Sequence, residues 1–268
     1  MDQSDVSLAG LREPLLAVDG VTLQYATREQ IVTATHRVSF DMFERDRFVL
    51  LGPSGCGKST LLKSIGGFLK PVEGEVRLNG KHVSAPGADR MIVFQEFDQL
   101  LPWQTVLENV IFPMRATGRF PRSEWADRAA AAVAKVGLSK FADAFPHTLS
   151  GGMKQRVAIG RALAMEPQVL LMDEPFAALD ALTRRRMQQE LLDLWAEIQF
   201  SMVFVTHSIQ EAIILANRIV VMTPHPGQII AELDATDFNY DQSGSDEFVA
   251  FQQKINDMLF GHEDTAHG

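Results

Sequence analysis

The sequence predicts an α/β fold with a mainly parallel sheet, a smaller antiparallel β-subdomain and an inserted helical subdomain. Two short apolar runs, residues 48–51 and 169–172, predict strands. The first leads into a glycine-rich turn, and the second ends in two acids, as a buried strand of a doubly wound parallel sheet does. Alternating apolar and polar residues within 15–43 predict antiparallel strands near the amino terminus. Alanine-rich helical patterns fill the middle third, so we expect them to interrupt the β-rich portions as one unit.

A glycine-rich turn follows the first apolar run. It fits the phosphate-binding pattern G-x-x-x-x-G-K-[ST] at every position through Gly52, Pro53, Ser54, Gly55, Cys56, Gly57, Lys58, Ser59 and Thr60. Its glycines let backbone N–H groups form a nest for phosphate, beside the positive end of the next helix. Lys58 suits the β- and γ-phosphates, and the Ser59 hydroxyl suits Mg²⁺. The pattern predicts a P-loop nucleoside triphosphatase core; the alternative is a plain surface turn.

The net charge, the length of the apolar runs and the number of cysteines exclude several classes of function. The 268 residues carry a formal net charge of −9, which argues against a nucleic-acid partner because such binding needs a basic surface. No apolar run approaches the length that spans a bilayer. The single cysteine, Cys56, excludes a disulfide framework and favours a cytoplasmic setting. In the loop it is either a small packing residue or a redox-sensitive thiol.

We expect three regions along the chain. Residues 1–14 form a polar tail, residues 15–234 form the nucleotide-binding domain, and residues 235–268 form an acidic extension. The helical subdomain is expected over about 96–165. The extension contains a candidate amphipathic helix over 246–260, to which the sequence assigns no function.

Upstream of the loop, Tyr25 lies in a predicted strand. An aromatic ring there either stacks on an adenine base or packs half-buried in the sheet. Downstream, an apolar strand over 91–94 ends at Gln95. A bulky apolar loop follows over 100–103, which we expect to be exposed at the surface and to line the groove for a partner; the alternative is a loop folded onto its own core. Thr105 then caps a helix, with Glu108 at the capping-box spacing. Two helices are expected over 105–117 and 122–137.

A second glycine turn precedes a helix at Ser150, Gly151 and Gly152. Free N–H groups at this helix N-terminus suit an anion, although the turn lacks a lysine to hold a triphosphate alone. The alternative is an ordinary helix cap.

Two acids, Asp173 and Glu174, end the buried strand 169–172. The carboxyl ends of parallel strands are where such sheets bind ligands, so Asp173 suits Mg²⁺ and Glu174 suits proton abstraction from water. The alternative is a solvated strand end. His207 ends a further buried strand and is a candidate for γ-phosphate contact, against a structural alternative.

In this order, the motifs resemble those of ATP-binding subunits of ABC transporters over about residues 15–233. The resemblance implies that Gln95 is the Q-loop glutamine, which senses Mg²⁺ and abuts the membrane subunit. It implies that Asp173 and Glu174 are the Walker B acid and the catalytic glutamate. His207 then matches the switch histidine, and Tyr25 matches the adenine-stacking aromatic.

The second glycine turn is similar to the family signature Leu-Ser-Gly-Gly-Gln, with Met153 in place of the glutamine. Because backbone amides and Ser150 make the phosphate contacts in that motif, the departure should not abolish activity. Residues 178–180 match the D-loop, which ends at Asp180.

The resemblance further implies ATP and Mg²⁺ as ligands and a homodimer that sandwiches two ATP molecules. It implies two transmembrane permease subunits, an external solute-binding protein and a position at the cytoplasmic face of the bacterial inner membrane. Residues 87–90, 93–95, 100–103 and 221–229 are similar to the nitrate, sulfonate and taurine importers of bacteria. Importers of other small organic solutes share parts of these patterns.

Two other function classes are compatible with a phosphate loop. A mechanical or DNA-repair ATPase would need long heptad arms or a basic face, and the sequence has neither. A non-transport adaptor could use ATP binding to organise a membrane complex, but Glu174 and His207 together favour turnover.

Overall fold

The computed structural model describes residues 13–26, 30–95 and 99–261. It confirms the predicted α/β class, with a six-stranded sheet and a separate four-stranded sheet. The strands are β1 (Leu16–Ala26), β2 (Ile31–Met42), β3 (Arg47–Leu51), β4 (Glu73–Leu78), β5 (Lys81–His82), β6 (Arg90–Val93), β7 (Val169–Asp173), β8 (Ser201–Thr206), β9 (Arg218–Met222) and β10 (Ile229–Asp234). The α-helices are α1 (Lys58–Ile65), α2 (Val106–Thr117), α3 (Trp125–Lys135), α4 (Gly151–Leu163), α5 (Ala181–Ile198), α6 (Ile209–Leu215) and α7 (Asp246–Phe260).

The large sheet has the order β10-β9-β3-β8-β7-β6 and is parallel except for β10, which runs antiparallel to β9. Successive side chains of its strands enter different cores because they alternate between the two faces. Phe48 and Leu50 face α1 and the small sheet, whereas Val49 and Leu51 face the remaining helices. This double burial explains the continuous apolar runs of the sequence.

The small sheet has the order β2-β1-β4-β5 and is antiparallel throughout, as predicted. Its first two strands are longer than the alternating patterns indicate. The β1–β2 register shifts between Val18 and Val21 and again near Leu23. At each shift, the alternation of buried and exposed side chains along the strand is interrupted. A period-two pattern therefore breaks into short pieces although the strand continues.

Helices α2, α3 and α4 pack on one another and lie between β6 and β7 along the chain. Thr105 caps α2 with the predicted capping box, since its side chain accepts from the Glu108 N–H and Glu108 accepts from the Thr105 N–H. Gly118 ends α2 in the left-handed conformation at φ 64°. The next helix begins later than predicted because a 3-10 turn occupies Arg122–Glu124.

The candidate helix of the extension is confirmed as α7, and Phe248 and Ile255 bury it against the main core. Of the predicted tail over 1–14, residues 1–12 lie outside the described residues, as do residues 262–268 of the extension. Within the described part of the chain, no helix is both long enough and apolar enough to cross a membrane.

Candidate phosphate and metal site

The glycine-rich turn connects β3 to α1 at the carboxyl edge of the large sheet. Gly55 and Gly57 have φ angles of +82° and +93°, which L side chains rarely adopt. A Cβ on Gly57 would lie 2.5 Å from the carbonyl oxygen of Ala34 in β2. Glycine at this position therefore satisfies both the backbone conformation and the close approach of β2.

We expect Gly57→Ala to lower the free energy of unfolding by at least ~2 kcal/mol, because a left-handed Cβ costs about 1–2 kcal/mol and the contact with Ala34 adds overpacking. Gly80→Ala is the matched control, since Gly80 has φ +71° and open space around its Cβ position. That variant should lose only about 1 kcal/mol. Urea unfolding of both variants checks this, and equal losses would mean that the contact with β2 carries no cost.

Lys58 lies across this loop with its ammonium group buried. Its Nζ donates to the carbonyl oxygens of Gly52 at 2.8 Å and Pro53 at 2.9 Å. These carbonyls hold the cation at the mouth of the nest, where an incoming phosphate would compete for it. The Cys56 thiol lies 3.7 Å from the same Nζ, but it is fully buried, and burial raises its pKa. This environment favours the small packing residue over the redox-sensitive thiol.

Ser59 and Asp173 meet beside the loop although 114 residues separate them. The Ser59 Oγ donates to Asp173 Oδ1 at 2.6 Å. Asp173 ends the fully buried β7, and burial raises the pKa of its carboxyl group. A hydroxyl and a carboxylate oxygen at this separation are the hard oxygen donors that Mg²⁺ prefers, so the residues present fit this ion.

Glu174 and His207 form a second pair at the same sheet edge. His207 Nδ1 lies 2.8 Å from Glu174 Oε2. Glu174 follows β7 with φ +43°, a strained conformation for a non-glycine residue, and its N–H donates to the carbonyl oxygen of Val205 at 3.1 Å. Backbone strain of this kind costs on the order of 1–3 kcal/mol and concentrates at functional sites. It turns the carboxylate out of the sheet toward the histidine.

Sequence reasoning missed the groups behind this pair. Glu211 in α6 is buried and accepts hydrogen bonds from the side chains of Thr206 and Gln188. Burial raises the pKa of the Glu211 carboxyl group. The available signal was a carboxylate four residues after His207 on a mostly apolar helix.

The second glycine turn lies elsewhere. Ser150 is the N-cap of α4, and its Oγ accepts from the Met153 N–H at 3.3 Å. A Cβ on Gly152 would lie 3.1 Å from the Thr183 side chain of α5, so this turn adjoins the start of that helix. Within the described ranges, no hydrogen bond joins this turn to the phosphate loop. The structure therefore does not bring the two glycine turns together in one copy.

The remaining predicted residues occupy separate positions. Asp180 caps α5, where its Oδ1 accepts from the N–H groups of Leu182 at 3.1 Å and Thr183 at 3.0 Å. These contacts with Thr183 and Leu182 lower the pKa of its carboxyl group. Tyr25 is 49% exposed on β1, so it is half-buried in the sheet while about half of its surface remains open to a ligand. Gln95 is exposed just beyond β6, at the carboxyl edge that Asp173 also occupies.

The apolar loop over 100–103 behaves differently at its two ends. Leu100 is buried in the main core, so the expectation that the whole loop is available at the surface is wrong for this residue. The Leu101 N–H and carbonyl oxygen pair with the buried Asn109 side chain at 2.8 and 3.1 Å, which holds the loop against α2. Trp103 is 71% exposed.

Comparisons with known proteins agree with this geometry. A protein-family model described as ABC transporter matches residues 35–177. The chain is 45% identical over 260 residues to the taurine import ATP-binding protein TauB of Rhizobium johnstonii, covering 93% of this chain and 98% of that protein. It is 41% identical to the bicarbonate transport ATP-binding protein CmpD of Synechocystis, covering 94% and 92%. Among solved structures, it resembles the dimeric post-hydrolysis state of the ATP-binding cassette MJ0796 bound to ADP and Pi, with a TM-score of 0.70 and 34% identity over 83% of this chain and 100% of that one.

Proposed function

This chain belongs to the ABC transporter family of ATP-hydrolysing subunits, and from that premise we propose that it powers import of a small anion such as taurine, another sulfonate or nitrate. The observation that carries the proposal is the pairing of Glu174 with His207 beside the phosphate loop, at 2.8 Å. A protein that only bound ATP would need the loop but would have no use for a base and a switch residue at its mouth. This pairing therefore favours turnover over a non-transport adaptor.

The proposed reaction uses residues of this edge in separate roles. Tyr25 stacks on the adenine, and the loop residues 52–60 hold the phosphates through backbone N–H groups. Glu174 orients the attacking water and accepts its proton. The water oxygen bonds to the γ-phosphorus, and the bond from the γ-phosphorus to the bridging oxygen breaks, which releases ADP. Lys58 and His207 donate to the phosphate oxygens on which negative charge grows. To do so, Lys58 exchanges its carbonyl partners in the loop for phosphate.

Ser59, Gln95 and Asp173 would hold Mg²⁺, which supplies positive charge beside the phosphates. The Ser59–Asp173 separation of 2.6 Å supports this assignment, because the two oxygens already lie together. Gln95 approaches the same edge from the neighbouring strand β6.

We propose that two copies close around two ATP molecules. Ser150, Gly151 and Gly152 begin a helix whose N–H groups suit an anion, yet they adjoin α5 rather than the phosphate loop of the same copy. A second copy would present this turn to the γ-phosphate, with Asp180 at the adjoining start of α5. The solved cassette to which this chain is similar is a dimer, which supports the association of two copies.

Permease subunits are the proposed membrane partners, with an external solute-binding protein that acts through them. The proposed docking surface is on the helical subdomain, about residues 96–165, near Gln95 and the exposed Trp103. A bulky, mostly exposed indole that follows Gln95 by eight residues in the chain is suited to contact a partner protein. The chain would then work at the cytoplasmic face of the membrane as a peripheral subunit.

The solute proposal predicts a growth defect. Deleting the gene should abolish growth on taurine, on an aliphatic sulfonate or on nitrate, supplied as the sole sulfur or nitrogen source. Plasmid-borne wild type should restore growth, and Glu174→Gln should not, because it leaves the transporter assembled without turnover. Unimpaired growth of the deletion strain on every one of these sources would count against an anion importer of this branch.

A further inference from the structure

A line of side-chain hydrogen bonds connects the C-terminal extension to β8, the strand that ends just before His207. The Tyr240 hydroxyl donates to Gln188 Oε1, and Gln188 Nε2 donates to Glu211 Oε1 at 2.7 Å. The Thr206 hydroxyl donates to Glu211 Oε2 from the opposite side. The line therefore starts in the extension, passes through α5 and α6, and ends one residue before His207.

The three residues beyond Tyr240 in this line are buried, so each depends on its neighbour in the line for a hydrogen-bond partner. Thr206, Gln188 and Glu211 are all less than a tenth exposed. Glu211 has no ion-pair partner among the described residues, so hydrogen bonds alone satisfy its two oxygens. A buried polar atom that loses its partner costs about 1–3 kcal/mol, which gives this line a single favourable arrangement.

The donor–acceptor direction of each hydrogen bond determines the orientation of the next side chain in the line. A glutamine amide has an acceptor at one end and a donor at the other. Because the Tyr240 hydroxyl donates to Gln188 Oε1, the Gln188 NH₂ group faces Glu211. At the far end, Thr206 Oγ1 also accepts from the Ser208 N–H at 3.0 Å. The backbone is thus held on both sides of His207.

His207 depends on this backbone support. Its side chain is 52% exposed, and its hydrogen bond to Glu174 is the only one it makes with the part of the chain that the structure describes. No packed core fixes the imidazole. Its position relative to Glu174 is therefore set mainly by where the 206–208 backbone lies.

We propose that Glu211 and Tyr240 are positioning residues for the switch histidine, so that ATP turnover depends on how the C-terminal extension is docked. This inference rests on the proposed roles of Glu174 and His207. The Tyr240 hydroxyl orients the Gln188 amide, and Gln188 and Thr206 both donate to Glu211. The Glu211–Thr206 bond fixes the end of β8 and therefore the position of His207 relative to Glu174. The extension acts through this line without touching the nucleotide.

Tyr240→Phe and Thr206→Val, alone and combined, test the proposal in the purified full-length chain. Each single variant removes one hydroxyl and keeps the side-chain shape, so the ring of Tyr240 stays beside Arg185. We expect Tyr240→Phe to lower kcat about five- to tenfold with an unchanged KM for ATP, because a lost hydrogen bond is worth about 1 kcal/mol. Thr206→Val should lower kcat by at least as much, because Thr206 Oγ1 both donates to Glu211 and accepts from the Ser208 N–H. The double variant should be no slower than the slower single variant, since both interrupt one line.

Controls separate positioning from general damage. Thr22→Val removes a comparable hydroxyl in β1, where the buried Thr22 Oγ1 donates to Glu73 Oε2 at 3.1 Å and accepts from the Arg37 N–H at 3.1 Å, and should leave kcat unchanged. Glu211→Gln should keep more activity than Glu211→Ala, because an amide can still bridge Thr206 and Gln188. A kcat of Tyr240→Phe equal to wild type, or single effects that multiply in the double variant, would overturn the proposal.

The same assay keeps this inference apart from the proposed function. If Glu174→Gln abolishes hydrolysis while Tyr240→Phe leaves kcat unchanged, the ATPase assignment stands and the positioning role falls. If the wild-type chain does not hydrolyse Mg-ATP at all, the proposed function falls and the positioning role falls with it.

Discussion

Glu174→Gln is expected to lower the rate of ATP hydrolysis by about 10²–10⁴-fold, the usual contribution of a positioned general base. The amide keeps the shape of the carboxylate and can still meet His207, but it cannot accept a proton from water. Binding of Mg-ATP should therefore survive. Steady-state hydrolysis and a nucleotide-binding titration of the same preparation separate the two effects.

The same variant should accumulate a closed dimer with ATP bound, because hydrolysis normally destroys the ligand that bridges the two copies. Adding Ser150→Arg should prevent this, since a bulky side chain would fill the proposed site of the opposing γ-phosphate. Gel filtration with Mg-ATP distinguishes the two proteins. The formal net charge of −9 on each copy opposes association, so wild type should be monomeric or weakly associated without nucleotide.

Glu44→Gln is the matched control, because it removes one negative charge from an exposed turn before β3. It should hydrolyse ATP at the wild-type rate and form no stable dimer. If Glu174→Gln also retains the wild-type rate, Glu174 is not the base.

Trp103→Glu should abolish solute uptake by the assembled transporter and leave ATP binding by the isolated subunit intact. The indole is 71% exposed at the proposed permease surface, and a carboxylate there would have to be desolvated on docking. Uptake of radiolabelled solute and co-purification of the permease measure the two consequences.

Val249→Glu in α7 provides the comparison for Trp103→Glu, since Val249 is also an exposed apolar residue but lies on the C-terminal helix. It introduces the same charge and should leave uptake near the wild-type level. Normal uptake by Trp103→Glu would remove the proposed docking surface.

The sequence predicted those parts of the site that follow from local pattern and from one rule of sheets. Lys58 and Ser59 begin α1 directly after a turn whose glycine-rich composition predicts its conformation. Asp173 is distant in the chain, yet β3 and β7 are both parallel strands of one sheet, so their carboxyl ends share an edge. That rule was sufficient to predict that Asp173 lies at the ligand-binding edge of the sheet, where the structure also has Ser59.

Contacts that depend on tertiary packing could not be predicted in this way. Leu100 and Trp103 belong to one apolar run, and only the packing of α2 decides that the first is buried and the second exposed. Glu211 appears in the sequence as an acid on a short apolar helix, which does not reveal that Gln188 and Tyr240 approach it. Such a line of polar groups requires α5, α6 and the C-terminal extension to pack against one another. The hydrophobic periodicity of the sequence predicts each helix separately but does not predict how the three segments pack.

The burial of Cys56 makes this protein a favourable subject for thiol labelling. It is the only cysteine of the chain, it is fully buried in the phosphate loop, and its raised pKa keeps it protonated. A cysteine introduced at an exposed position such as Val249 would therefore react alone with a maleimide probe, without prior removal of native thiols. In a dimer, the two identical probes would report one inter-subunit distance, so that opening and closing could be followed by spin-label or fluorescence spectroscopy.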